Sequence, residues 1–177
     1  MIRGEHIVLR TVRESDLDAL FDLLSDQSTR GEHFPLRLPS DAAFRKEYRE
    51  TGFWGDSFGR LLVCDPEGRI LGSIWYFQTA PYLDGLEIGY HLFDVASRGK
   101  GHMSEALKLL AGFLFATRKI NRLQLGIMPE NEASRRVAQN CGFRSEGIAR
   151  GAIFLRGGNH DLEMFSLLRA DAGRAKS

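Results

Sequence analysis

The stretch Arg98-Gly99-Lys100-Gly101-His102-Met103-Ser104 stands between two segments of different periodicity. Before it, Leu86 to Phe93 has the makings of a strand. After it, Met103, Ala106, Leu107, Leu110, Ala111 and Leu114 recur on one helical face, which predicts a helix from about His102 to Thr117. Strand, glycine-rich turn and helix start together form an anion site. First-turn N–H groups lack intrahelical partners, and the helix dipole adds partial positive charge. Gly99 and Gly101 permit positive φ and let the backbone approach a pyrophosphate closely. Arg98 and Lys100 add charge, and Ser104 adds a hydroxyl donor. A surface turn that merely opens a helix is the competing interpretation, since short glycine motifs recur by chance. Two phosphate motifs do not fit. A P-loop needs two glycines five positions apart followed by lysine, and a dinucleotide fingerprint needs a third glycine where Ser104 stands.

Outward from this loop the chain alternates strands and helices. His6 to Thr11 is a predicted strand, and Ser15 is placed to cap a helix carrying Leu17, Leu20, Phe21 and Leu24. Ser25 to Pro39, broken by Gly31, Pro35 and Pro39, is a loop. Ser40 caps a second helix with Phe44 and Tyr48, and Gly52 to Gly59 is an irregular connection. Arg60–Cys64 and Arg69–Gln78 form a hairpin around the turn Asp65-Pro66-Glu67-Gly68. Ala80 to Gly85 is a further link. Arg122 to Ile127 alternates as a strand. Asn131 to Asn140 is a helix with Asn131 as N-cap and Gly142 at a left-handed C-terminal position. A last hairpin joins Gly147–Leu155 to His160–Leu168 through Arg156-Gly157-Gly158-Asn159. The expected unit is one domain over residues 1–170, with a frayed tail over 171–177. The order of elements predicts an α+β fold: a mixed, mainly antiparallel sheet flanked by helices.

Composition narrows the classes of function. The chain has 177 residues, 43% of them hydrophobic, enough for one buried core. Its 24 basic and 23 acidic residues leave a net charge of +1, which argues against nucleic acid as a direct partner. The two cysteines, Cys64 and Cys141, make neither a CxxC pair nor a disulfide framework, and no metal is expected. Residues Met1 to His6 carry no apolar core of signal-peptide length, and no run approaches the ~20 apolar residues of a membrane span. A cytoplasmic location without membrane contact is the expectation. Exposed strand edges of such a sheet could pair in a homodimer.

Three motifs in sequence carry a family resemblance. Arg98-Gly99-Lys100-Gly101-His102-Met103 is similar to the Arg/Gln-x-x-Gly-x-Gly/Ala loop of the GNAT superfamily of N-acetyltransferases, except that Met103 replaces a small residue. Glu87-Ile88-Gly89-Tyr90 lies before it. Pro129-Glu130-Asn131-Glu132-Ala133-Ser134 and Asn140-Cys141-Gly142-Phe143-Arg144-Ser145-Glu146-Gly147 lie after it, and these resemble the RimJ/RimL-like branch. The resemblance implies a GNAT-like acyl-CoA N-acyltransferase fold whose sheet splays open in the middle, with the pantetheine arm in the gap. It implies acetyl-CoA as cosubstrate, bound by residues 98 to 104, and direct transfer of the acetyl group to an amine. The acceptor is either a protein N-terminus or a small amine such as an amino sugar, antibiotic or polyamine. A coenzyme A-sensing module without catalysis is a further alternative.

The resemblance also implies roles for single residues. Glu87, in the context Leu86-Glu87-Ile88, matches a carboxylate that takes the proton of the attacking amine; the alternative is a solvated strand residue. Asn131 caps a helix and matches an asparagine near the pantetheine. Ser134 completes the same turn and matches a serine that returns a proton to the departing thiolate. The backbone N–H groups of His91, Leu92 and Phe93 correspond to donors that pair with pantetheine and polarise the thioester carbonyl. His91 reaches either the acceptor cleft or a structural neighbour, and His33 is a second candidate for acceptor contact. Arg135 and Arg136 belong to a solvated helix face, with one of them a candidate for the 3′-phosphate. Trp75, Phe77, Phe113, Phe115, Phe143 and Phe154 are expected in the core or half-buried in the sheet. Cys141 is expected to be structural. Ile153 stands where related ribosomal-protein enzymes carry a further glutamate, so that role does not transfer.

Overall fold

The structure, a computed structural model, describes residues 1–78, 80, 82 and 84–172. Its strands are β1 (Ile2–Arg3), β2 (Val8–Thr11), β3 (Phe58–Cys64), β4 (Ile70–Phe77), β5 (Gly85–Leu92), β6 (Arg122–Ile127), β7 (Arg144–Leu155) and β8 (Gly158–Leu168). Its helices are α1 (Leu17–Ser25), α2 (Asp41–Thr51), α3 (His102–Thr117), α4 (Glu132–Asn140) and the short α5 (Arg169–Ala172). One sheet holds all eight strands in the order β1-β2-β3-β4-β5-β6-β8-β7. Every pairing is antiparallel except β5 with β6, so this is the mixed, mostly antiparallel sheet expected.

The parallel pair is the centre of the molecule. It holds for three rungs only: Gly85 with Arg122, Leu86 with Leu123, and Glu87 with Gln124. Beyond Glu87, β5 runs on to Leu92 and β6 to Ile127 without pairing to each other, and a gap opens between them. Each face of the sheet is covered by helices, because period-two alternation sends apolar side chains both ways. On one face Ile74, Tyr76, Leu123 and Phe165 pack against Leu107, Leu110 and Leu114 of α3. On the other, Leu62, Cys64 and Phe93 pack against Leu17 and Leu20 of α1 and Phe44 of α2.

Several local signals act as the sequence suggests. The α3 stripe is wholly buried. The Ser40 hydroxyl accepts from the Ala43 N–H at 3.4 Å. Asp65 and Gly68 close the first hairpin with a 3.0 Å bond. The last hairpin needs only the two residues Arg156 and Gly157, both at positive φ (49° and 87°), as a tight primed turn demands.

Other expectations need correction. Ser15 does not cap α1. A 3-10 turn, Glu14–Asp16, precedes the helix, and the Asp16 carboxylate accepts instead from the Arg13 N–H at 2.7 Å and from the Arg10 guanidinium at 2.6 and 2.8 Å. Phe154 is 69% exposed, because it lies near the outer end of the last hairpin, past the helices that cover the sheet. Asp171 and Ala172 belong to α5, while residues 173–177 lie outside the described residues. Pro81 and Leu83 of the link from Ala80 to Gly85 also lie outside them. Among the described residues no helix is long and apolar enough to cross a membrane.

Candidate active site

The loop from Arg98 to Ser104 lies at one end of the gap. Gly99 and Gly101 have φ of +75° and +83°, and a Cβ on either would meet nothing within 4 Å. Backbone conformation, not crowding, therefore selects glycine there. Gly101 is the N-cap of α3 and supplies no side-chain cap. Among the described residues the N–H groups of residues 99 to 104 meet no protein acceptor, so this helix end is left open to a ligand. The His102 ring lines the same groove, and its buried Nδ1 has no hydrogen-bond partner among the described residues. The Met103 side chain is turned away into the core at 5% exposure, which leaves the groove side to its backbone. The bulky residue at this position thus costs the cradle no space.

Two cavities flank the gap. A groove of about 690 Å³ runs from Arg98, Gly99 and Gly101 past Ser104 to Asn131, Ser134 and Asn140 at α4. A cleft of about 780 Å³ opens on the α1/α2 face, bounded by the 25–39 loop, Arg60, Trp75 and Glu87. Both are lined by Arg30, His33, Phe34, Tyr90, His91, Asn131 and Ser134, so they meet at the gap itself. The loop is tied down over that junction. Arg98 Nη2 donates to Thr29 O (2.8 Å) and Leu92 O (3.2 Å), and Arg156 Nη2 donates to Gly31 O at 2.7 Å.

Strand alternation distributes the chemistry along β5. Glu87, Gly89 and His91 share the cleft face with Trp75 and Phe77, opposite them on β4. The Glu87 carboxylate accepts from Gln124 Nε2 at 2.8 Å through Oε2, while Oε1 has no hydrogen bond among the described residues. Burial raises its pKa above the ordinary carboxylate value, and the Gln124 bond only partly opposes this. Tyr90 points the other way, toward α4, with its hydroxyl 2.6 Å from Ser134 Oγ. Burial pushes that phenol up to about 12, so it stays protonated. The Ser134 N–H donates to the Asn131 side chain at 3.1 Å, the helix cap expected of that residue.

Residues 6–144 match the Acetyltransferase (GNAT) domain family. The chain is 30% identical to the “Probable N-acetyltransferase YjcK” of Bacillus subtilis, with 97% of this chain and 98% of the relative covered. It is 24% identical to the ribosomal-protein-serine acetyltransferase of Escherichia coli, covering 92% and 93%. The spermidine N-acetyltransferase of Vibrio cholerae, solved with CoA and spermine, superposes with a TM-score of 0.82 at 17% identity over 96% and 99% of the two chains. The chain belongs to the GNAT acetyltransferase family. It is an acetyl-CoA-dependent N-acetyltransferase.

The acetyltransferase does not place all of its expected residues at the cavities. Phe93 is buried against α1 and α2, and its N–H already donates to Leu71 O at 3.0 Å. An antiparallel ladder alternates in direction, so His91 also faces β4, and the amides of Tyr90 and Leu92 face the gap. The free donors are thus Tyr90 and Leu92 rather than the run from His91 to Phe93. Lys100 is exposed and lines neither cavity. His91 does line the junction, but its ring is occupied: Nε2 lies 3.2 Å from Thr29 O, and Phe34 stacks on it at 4.7 Å. Burial lowers its pKa; the Thr29 carbonyl opposes this in part, and Arg98 and Arg30 add to the lowering. His33 lines both cavities beside Glu32, at 3.4 Å. Arg135 is held by Glu163 at 2.7 Å, which leaves the exposed Arg136 on the groove. Cys141 donates to Ser104 O at 3.3 Å, and burial pushes its thiol up to about 11, consistent with a structural role.

Three participants were not singled out from sequence. Tyr90 sits in a quoted motif, and its alternation relative to Glu87 could have placed it on the α4 side. Gln124 and Arg60 gave no local signal, since each acts through a neighbour on another strand.

Proposed function

We propose that this acetyltransferase moves the acetyl group of acetyl-CoA directly to the α-amine of a protein N-terminus. The observation that carries the reading is the meeting of two cavities at Tyr90, His91, Asn131 and Ser134, with a free carboxylate oxygen on one side and a hydroxyl pair on the other. The open N–H groups at Gly99–Ser104, Arg98 and the His102 ring suit the pyrophosphate of acetyl-CoA. Arg136 and Asn140 lie further along the same groove. The amides of Tyr90 and Leu92 are left to pair with the pantetheine arm and to meet negative charge forming on the thioester carbonyl.

The acceptor enters from the α1/α2 face. Glu87 Oε1 takes the amine proton, directly or through a water, and the raised pKa of that carboxyl brings it nearer the range where a base is effective. The nitrogen attacks the thioester carbon, the C–S bond breaks, and the Tyr90–Ser134 hydroxyl pair passes a proton to sulfur, regaining one through solvent as Glu87 releases the proton it took from the amine. Preference for an N-terminus is supported by the branch resemblance and by a relative named for a ribosomal-protein serine. The test is release of free coenzyme A thiol with N-terminal peptides, polyamines and amino sugars offered in parallel. Turnover of peptides well above the small amines is expected, and the opposite ranking would move the acceptor to a small molecule.

A further inference from the structure

Arg60 is a half-buried cation with no carboxylate partner among the described residues. It lines the acceptor cleft from β3, its Cζ lies 5.1 Å over the Trp75 ring, and Nη1 donates to the fully buried Ser73 Oγ at 3.2 Å. Nε and Nη2 have no protein acceptor, and no carboxylate lies within 4.0 Å among the described residues. An arginine taken partly out of water without a counter-ion is costly. Here burial lowers its pKa to about 10, which still leaves it charged at neutral pH. Arg30 and Arg37 line the same cleft and likewise have no carboxylate partner among the described residues. The opposing carboxylates are Glu47, exposed on α2, and Glu87, the proposed base. A cleft of this polarity repels a polycation and suits an acceptor that carries its own anion.

Position sets where that anion sits. Arg60 pairs with Trp75, and Trp75 with Gly89, so two strand spacings, roughly 10 Å, separate Arg60 from the β5 face that carries Glu87. An extended peptide advances about 3.3–3.6 Å per residue. With its amine at Glu87, its second and third side chains come alongside Arg60. We propose that Arg60 selects N-terminal segments with an acidic side chain at the second or third position. This rests on the N-terminal acceptor proposed above.

The experiment compares kcat/KM for matched peptides that differ only at positions two and three, Asp-Glu against Asn-Gln. A charge-assisted contact predicts a preference of ~10-fold or more for the acidic peptide. In Arg60→Gln the ratio falls to within about 2-fold of unity. If that variant does not fold, the wild-type protein still decides: moving the acidic pair to positions six and seven should abolish the preference. An equal rate for both peptides, a preference for lysine at these positions, or a ratio unchanged in a folded Arg60→Gln overturns the proposal. Refusal of every peptide, with Arg60-dependent acetylation of carboxylated or phosphorylated small amines, would instead remove the N-terminal acceptor and keep the anion contact.

Discussion

Replacing Glu87 with glutamine isolates the charge of the proposed base. The glutamine amide oxygen can still accept from Gln124, so the last rung between β5 and β6 survives and the cleft keeps its shape. What is lost is the unpartnered Oε1 as a proton acceptor. General-base catalysis typically contributes 10²–10⁴-fold, so the variant should lose about 3–5 kcal/mol of transition-state stabilisation. The pH profile separates this from a mere packing effect. An α-amine has a pKa of about 7.7–8.0 and must also be neutral to attack. Wild-type log(kcat/KM) therefore climbs with a slope approaching two at low pH, where both Glu87 and the amine are protonated, and the Glu87→Gln profile climbs with a slope of one. Stability moves in the opposite sense. Because burial raises the Glu87 pKa, the folded state binds the proton more tightly than the unfolded chain. The group's contribution is fully present below its unfolded pKa and is lost as pH rises through the folded one. Glu87→Gln escapes that loss, so its Tm relative to wild type should improve from pH 5 to pH 8. Thiol release followed from about pH 4 to pH 9, and thermal melts at pH 5 and pH 8, measure both. A folded variant within about 3-fold of wild type, with the same acid limb, would show that Glu87 is not the base.

Three further outcomes follow from other parts of the molecule. Tyr90→Phe and Ser134→Ala each break the 2.6 Å hydroxyl pair, so each should lower kcat by about 10–100-fold with little change in KM for the acceptor. Because the two hydroxyls act as one unit, the double variant should be hardly worse than the slower single; full additivity would mean they act separately. Gly101→Ala forces a non-glycine residue into φ +83° at the mouth of the cradle, costing about 1–2 kcal/mol by thermal melt and weakening coenzyme A binding by calorimetry; an unchanged Kd would show that the loop does not hold the phosphates. Asp16→Asn leaves Arg10 without its counter-ion in a site where both side chains are under 15% exposed, which should cost about 3 kcal/mol in urea unfolding. The Arg10 hydrogen bonds hold the Asp16 pKa below its usual value, so the wild-type advantage is present above that value and disappears as pH falls through the lowered one.

The parts of this fold legible in sequence are those set by local chemistry. Helix α3 begins and ends where its apolar stripe does, and Asn131, Ser40 and Gly142 take the cap conformations that their side chains or missing Cβ favour. Ser15 fails as a cap because Asp16, one residue on, gains two bonds from Arg10 and one from a backbone N–H. A local propensity worth about 1 kcal/mol yields to that cluster. Phe154 is apolar and lies in a strand, but its exposure depends on how far the β7–β8 hairpin extends past its cover, which no periodicity records. The site divides the same way. Glycines 99 and 101 announce themselves through the turn they allow. The free amides on β5 do not, because their direction follows from pairing with β4: the bond from Phe93 N–H to Leu71 O fixes the parity of the strand, and the available donors shift by one residue from the run the family pattern suggested.

That parity also explains how one short strand serves both halves of an acyl transfer. Odd positions on β5 face the cleft, where the proposed base Glu87 lies. Tyr90, an even position, faces α4, where it meets Ser134 as the proposed source of the proton for sulfur. In a closed sheet these two groups would be insulated from each other by the neighbouring strand. Here β5 and β6 stop pairing with each other at the Glu87–Gln124 rung, at the residue that carries the proposed base. The Tyr90–Ser134 bond then sets the N-terminal end of α4 against the strand just past that point. The gap is therefore bounded by the proposed base at one end and by the proposed proton donor at the other. A single-residue insertion between Glu87 and Tyr90 would put both groups on one face and should abolish transfer even if coenzyme A still bound.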